Sequence, residues 1–205
     1  MHAGQFKTLE QIAAQVRQCE LCPLHVGRTR AVPGDGPSDA IVMFVGEAPG
    51  FHEDQQGLPF VGAAGQFLNE LLQKAEIDRR RVYITNVIKC RPPSNRDPQP
   101  DEVEACKAYL DQQIELIHPQ VIVTLGRHSM ARAFPEEKIS VVHGQPRQVG
   151  NHVYFPMYHP AAALHQPSLR PTLEADFARL HDLLNGNLQP EIYAPPPDAE
   201  QLSLF

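Results

Sequence analysis

No stretch of this chain is apolar for long enough to cross a bilayer, and its first residues lack the basic-then-apolar layout of a secretory signal. The expected compartment is the cytoplasm. Positive charge is also scarce: 18 Lys and Arg stand against 24 Asp and Glu, a net charge of −6. That balance excludes a strongly basic DNA-coating protein, although a cleft answers to its own charges rather than to the total. No internal repeat is evident. With 205 residues and 42% hydrophobic composition, the chain suffices for one α/β core, or one domain with a tail.

Cysteine is nearly absent, and its four occurrences are the more informative for it. They fall as Cys19 and Cys22, two residues apart in the loop "CELCPL", and as Cys90 and Cys106 far downstream. In a reducing cytosol disulfides are disfavoured, which leaves buried thiols, zinc or an iron–sulfur cluster. The common zinc ribbon needs a second close pair, and none is present. Thiolates spread this widely suit a [4Fe–4S] cluster at least as well. Cys106 also lies on the apolar stripe of its helix, where it could serve as core filling.

Four apolar segments read as strands: residues 40–45, 82–87, 120–125 and 152–157. Between the first two, Ala64, Phe67, Leu68, Leu71, Leu72 and Ala75 recur at helical spacing, and between the next two Val103, Cys106, Leu110, Ile114 and Ile117 do the same. A helix over 8–17, opened by Thr8 with Gln11 three residues on, precedes them, and another over 172–184 follows. Strands apolar throughout, alternating with one-sided helices, predict a three-layer α/β/α fold around a four-stranded parallel sheet. The domain is expected to span 1–185, with 186–205 a Pro-rich tail.

In such sheets ligands bind beyond the carboxyl ends of the strands. Four polar loops lie there: "GEAPGFHEDQQGLPF", "NVIKCRPPSNRDPQP", "GRHSMAR" and "YHPAAAL". The first has neither the Gly-Lys-Ser/Thr of a phosphate loop nor the dinucleotide fingerprint, and its acids Glu47, Glu53 and Asp54 would repel phosphate. It suits a water awaiting activation, or a centre that becomes cationic, as a sugar does when its glycosidic bond breaks. Each acid taken alone reads as a solvated loop charge. Asn86, at the end of the second strand, offers a donor and an acceptor side by side, a pattern that accepts uracil and rejects cytosine. Phe60 could stack on a flat base or simply edge the core. His159, held out of helical geometry by the following proline, could hydrogen-bond a leaving base. Leu164 could fill the gap left by an extruded base or pack in the core.

These stretches together resemble the iron–sulfur (type-4) uracil-DNA glycosylases. "GEAPGFHED", "GLPFVGAAGQFLNELL", "YITNVIKCRPPSNRDPQPDEVEAC", "HPAAAL" and the cysteines follow the family's order from Cys19 to Leu184. The resemblance implies that Cys19, Cys22, Cys90 and Cys106 hold a [4Fe–4S] cluster. It implies that Glu47, the Ala48 backbone, Phe60 and Asn86 form a uracil pocket, that Glu53 is the loop acid, and that His159 faces the leaving base. The implied catalytic set is Glu47, Glu53 and His159, acting as a monomer on uracil in single- or double-stranded DNA. Covalently trapping relatives carry a basic insertion after the second strand, which "CRPPSNRDPQPDEVEAC" lacks. The rival reading is a non-catalytic, metal-stapled DNA-binding module, or a redox sensor. Arg91, Arg96, Arg127 and Arg132 are the arginines expected to meet DNA. The end of the chain, Gln201-Leu202-Ser203-Leu204-Phe205 after Pro195-Pro196-Pro197, resembles the motif by which bacterial repair proteins bind the sliding clamp. In that likeness Gln201, Leu202, Leu204 and Phe205 make the contact, in a bacterial nucleoid-associated protein.

Overall fold

The computed structural model describes residues 6–194. Its strands are β1 (Val42–Gly46), β2 (Val82–Asn86), β3 (Val121–Leu125), β4 (Arg147–Val149), β5 (His152–Met157) and β6 (Glu191–Ile192). Helices α1 (Leu9–Arg17), α2 (Leu24–Gly27), α3 (Phe51–Gln56), α4 (Ala63–Lys74) and α5 (Pro100–Ile117) fall in the first part of the chain. They are followed by α6 (Arg127–Met130), α7 (Ile139–Val142), α8 (Pro160–His165) and α9 (Arg170–Leu184).

The four expected strands form a parallel core in the order β2-β1-β3-β5. The sheet is wider than predicted, because β4 adds antiparallel to β5 and β6 adds parallel to β4. The folded body also continues past Asn185. Tyr193 donates its backbone N–H to the Gln148 carbonyl at 3.0 Å, and its ring meets Phe134 edge-on at 4.8 Å. The expected clamp-contacting residues Gln201, Leu202, Leu204 and Phe205 lie outside the described residues. Among the described residues, no helix is long and apolar enough to cross a membrane.

Every residue of β1, β2 and β3 is buried, since helices cover both faces. Alternation then sorts side chains by face. Val42 and Phe44 pack under α4 and α9, while Met43 and Val45 pack under α1 and α5. Local chemistry sets the helix ends. Thr8 Oγ1 accepts from the Gln11 N–H at 3.3 Å to open α1. Gln99 and Glu102 form a capping box ahead of Pro100 to open α5.

The chain runs outward from β1 to β2, then crosses back past β1 to β3. This reversal opens a crevice between the carboxyl ends of β1 and β3. The loops after β1, β2, β3 and β5 all emerge on that side.

Candidate active site and cysteine cavity

The loop after β1 is braced from within. Glu53 Oε1 accepts the backbone N–H groups of Val61 (2.9 Å) and Gly62 (2.8 Å), the residues that lead into α4. Its other oxygen lies against Gly50, where an added Cβ would meet it at 2.8 Å. Both Asp54 oxygens accept from the Thr29 N–H, tying α3 to the N-terminal segment. Asp54 is 2% exposed, so it is a clamp and not a solvated charge. The bracing holds Phe60 at a φ of 54°, strained for a residue with a side chain. Gly65 permits this, because any Cβ there would collide with the Phe60 carbonyl. Phe60 is both core edge and pocket wall. It is 6% exposed, and its ring lies 5.5 Å from that of His159 with the planes 27° apart.

Asn86 ends β2 directly opposite Gly46 of β1. It is 1% exposed, and its Oδ1 has no hydrogen-bond partner. A buried oxygen left unpaired costs roughly 1–3 kcal/mol. Gly46 keeps the space beside it clear: a Cβ there would strike Asn86 Oδ1 and come within 2.8 Å of Phe60 Cζ. The result is an unpartnered polar atom held close to an aromatic ring.

His159 caps α8. Its Nδ1 accepts the Ala161 N–H at 3.1 Å, so the ring proton sits on Nε2. Burial lowers its pKa to about 4, against a weaker upward pull from Glu53. The imidazole is therefore a neutral donor at neutral pH. Leu164, on the same short helix, is 48% exposed. Core packing does not claim it.

Glu47 and Ala48, both half-buried, follow Gly46 at the crevice. Burial raises the Glu47 carboxyl above its usual range, with His128 and Arg127 pulling the other way. Glu47 Oε2 stands 3.7 Å from His128 Nε2, which is 3.5 Å from Asp97, and Asp97 pairs with Arg127. The sequence reading did not single out Asp97 or His128. They meet Glu47 only because the topological switch brings the loops after β2 and β3 together.

The four arginines expected to meet DNA divide into two pairs. Arg96 donates two hydrogen bonds to the Glu102 carboxylate (2.9 and 2.6 Å), whose side chain is 2% exposed, and Arg132 is drawn inward to Asp111. Both are committed to the fold. Arg91 lies over the Phe51 ring at 5.2 Å, and Arg127 is 66% exposed.

On the opposite side of the loop after β2, the four cysteines line one small, partly open cavity. Arg28, Lys89, His25 and Tyr109 complete its wall. Arg28 Nη1 bonds the Cys19 carbonyl at 2.7 Å and reaches Cys90 Sγ at 3.3 Å. Burial raises the thiol pKa of Cys22 and Cys90, and pushes Cys106 up to about 12. A buried thiol gives up its proton when a metal replaces it. The cysteines thus converge as expected, and Cys106 faces the cavity as well as the core.

A mostly parallel sheet whose switch point brings together an unpaired amide oxygen, an aromatic ring and a neutral imidazole defines a class: α/β enzymes suited to a planar, hydrogen-bonding ring. The comparisons narrow it. A family model described as the uracil DNA glycosylase superfamily matches residues 33–183. A type-4 uracil-DNA glycosylase of Sulfurisphaera tokodaii is 48% identical over 186 residues, covering 86% of this chain and 84% of that protein. Another, from Archaeoglobus fulgidus, is 45% identical over 196 residues, covering 91% and 98%. A third, from Thermotoga maritima, is 45% identical over 163 residues, covering 78% and 85%. The chain belongs to the uracil-DNA glycosylase superfamily.

Proposed function

We infer that the protein is a uracil-DNA glycosylase, hydrolysing the N-glycosidic bond of deoxyuridine in DNA to release uracil and leave an abasic site for base excision repair. The observation that carries this reading is the buried, unpartnered Oδ1 of Asn86 beside the Phe60 ring. Uracil offers its N3–H to that oxygen and its O4 to the amide N–H, whereas cytosine offers the reverse and leaves buried groups unpaired. Phe60 supplies the stacking face, and the Ala48 N–H is a further donor to the base. The base leaves its stack to reach the slot, and the exposed Leu164 fills the gap it leaves.

As the C1′–N1 bond breaks, its electron pair passes to uracil and spreads to O2. His159 Nε2–H donates to that oxygen as the charge develops, and a neutral donor suits an anion that forms only in the transition state. A water oxygen bonds to C1′, and its proton passes to a carboxylate and on through solvent to the uracil anion. Glu47 is that carboxylate. Glu53 Oε1 is committed to two backbone N–H groups of the loop, while burial holds Glu47 nearer to a proton acceptor's working range. Glu53 acts by fixing Phe60 and facing His159.

The cysteine cavity fits a [4Fe–4S] cluster held by Cys19, Cys22, Cys90 and Cys106. Among the described residues, Glu47, Asp97 and His128 are the set whose three donor atoms all lie within 4.8 Å of one another; no three of the sulfurs do. A tetrahedral zinc with Zn–S of about 2.3 Å would need sulfurs about 3.8 Å apart. The wider spacing favours the larger body. When bound, the cluster would join the loop ahead of α2, the segment after β2 and α5 into one wall, and hydrolysis needs no electron from it.

Incubation with a uracil-containing oligonucleotide should yield free uracil and an alkali-labile abasic strand. A protein that binds the oligonucleotide and releases nothing would be the non-catalytic or redox-sensing module instead. We further propose that Gln201, Leu202, Leu204 and Phe205 dock on the sliding clamp with an affinity of micromolar order, about 8 kcal/mol. Equal clamp binding by the full chain and by a truncation ending at Asp198 would refute that contact.

A further inference from the structure

Lys89 is 1% exposed, and neither base recognition nor cysteine ligation as described above uses it. Its Nζ donates to Thr85 Oγ1 at 2.6 Å, to the Asn86 carbonyl at 2.7 Å and to Gln113 Oε1 at 2.8 Å. Three acceptors match the three N–H bonds of an ammonium group. The acceptors are fixed in turn. Gln113 Nε2 donates to the Pro33 carbonyl (2.7 Å) and to the Tyr83 hydroxyl (3.0 Å), and Thr85 Oγ1 donates to the Pro33 carbonyl (3.0 Å). Every member of this buried network has a partner, the condition under which such a network rigidifies a core.

Its position gives the network a consequence. Asn86 and Cys90 are four residues apart, and Lys89 lies between them, folding its side chain back onto the carbonyl of the residue that reads the base. Lys89 is also one of the residues that line the cysteine cavity. The intervening backbone is zipped to the other half of the pocket: Val87 N–H bonds the Gly46 carbonyl at 2.9 Å, and Ile88 N–H bonds the Glu47 carbonyl at 3.1 Å. The Lys89 carbonyl accepts from the Val32 N–H at 2.8 Å, so the residue is held at both ends. One residue therefore holds the back of the uracil reader and borders the thiolate site.

We propose that Lys89 is a positioning residue that couples the two sites: its Nζ fixes the Asn86 carbonyl from behind while the residue itself lines the cysteine cavity, so cluster integrity and uracil binding support each other through it. The proposal rests on the uracil and cluster readings above, and it makes a reciprocal claim. If the cluster supports the base reader, bound uracil must equally stabilise the cluster.

The test uses iron-loaded protein and free uracil. Uracil at saturation should slow the release of iron to a chelator in the wild type, and Lys89→Met should abolish that protection. Lys89→Met should also weaken uracil binding by at least about tenfold at unchanged iron content, because the Asn86 carbonyl loses the hydrogen bond that holds it and is left buried without that partner. Phe177→Ala, a core change under the opposite face, should leave the protection intact, which separates positioning from general loss of stability. If Lys89→Met does not accumulate, Thr85→Val, which removes one of the three acceptors, should show the same two effects at a few-fold size. Protection that is absent from the wild type, or equal in wild type and variant, overturns the coupling. A wild type that binds no uracil at all instead overturns the pocket reading, and the coupling with it.

Discussion

The face of the sheet under α4 and α9 and the face under α1 and α5 cover the same strands with different chemistry. Under α4 and α9 the contacts are almost wholly apolar: Phe44, Ile84, Val123 and Phe155 meet Leu68, Leu71, Phe177 and Leu180. The Phe44 and Phe177 rings stack 5.9 Å apart at 10°. Under α1 and α5, Ile12, Val16, Leu110 and Ile117 also make a core. That core ends in Thr85, Lys89, Gln113 and the cysteine cavity. The first face is complete once its side chains are buried. The second surrounds a space, and its polar residues are satisfied only through one another. Burial alone can hold a scaffold, but a site that must position one amide to within a fraction of an ångström needs directional bonds behind it.

The largest effect that would sharpen this contrast is removal of a cysteine. Cys90→Ala or Cys106→Ala should lower iron per chain from about four to near zero. It should loosen the α1–α5 face by an amount comparable with the total stability of a domain, about 5–15 kcal/mol. Hydrogen exchange should rise first in α1 and α5 and only later in α4 and α9; a uniform rise would break the comparison. On the other face, Phe177→Ala should cost about 3–5 kcal/mol in denaturant unfolding and leave iron content alone. Iron loss in that variant would show the two faces to be one unit.

At the crevice between the faces, His159→Ala should slow single-turnover excision by about 10²–10³-fold, the usual cost of one lost donor to a developing anion. An unchanged rate would remove His159 from the chemistry. A smaller effect concerns pH. The folded pKa of His159 is lowered from 6.5 to about 4, so between those values the unfolded chain takes up a proton that the folded one refuses. Its contribution to stability is present above 6.5 and is lost as pH falls towards about 4. The melting temperature of His159→Gln should therefore rise less steeply with pH across that window than that of the wild type. The smallest expected effect separates the two pairs of arginines. Arg127→Gln should reduce the salt slope of DNA binding by about one unit. Arg96→Gln, which strands the buried Glu102, should lower stability without changing the slope.

The elements that were legible in the sequence are those with a period. The four parallel strands and the helices beneath them stand within a few residues of where apolar spacing put them. The convergence of the loops followed from the strand-end rule. β4 and β6 were not legible: Arg147–Val149 is half-buried with no alternation, and β6 has only two residues, both exposed. The folded body extends past Asn185 because Tyr193 finds Phe134 and Arg147, a contact that composition cannot reveal. Asn86 and His159 could be singled out because each ends or follows a strand on the crevice side. Lys89 could not, since a lysine reads as surface until three acceptors are found around it. Glu53 and Asp54 read alike in sequence; the structure separates a loop brace from a clamp by the backbone N–H groups each accepts.

The central claim is that the side-chain amide of Asn86, with its buried unpaired oxygen, reads uracil, and single-turnover excision from matched oligonucleotides carrying deoxyuridine or deoxycytidine tests it most directly. The wild type should release uracil and leave cytosine in place. Asn86→Asp, which changes the donor–acceptor pattern at the base edge, should lose much of its rate on uracil and narrow the preference. An Asn86→Asp protein that excises uracil at the wild-type rate and still ignores cytosine would contradict the account.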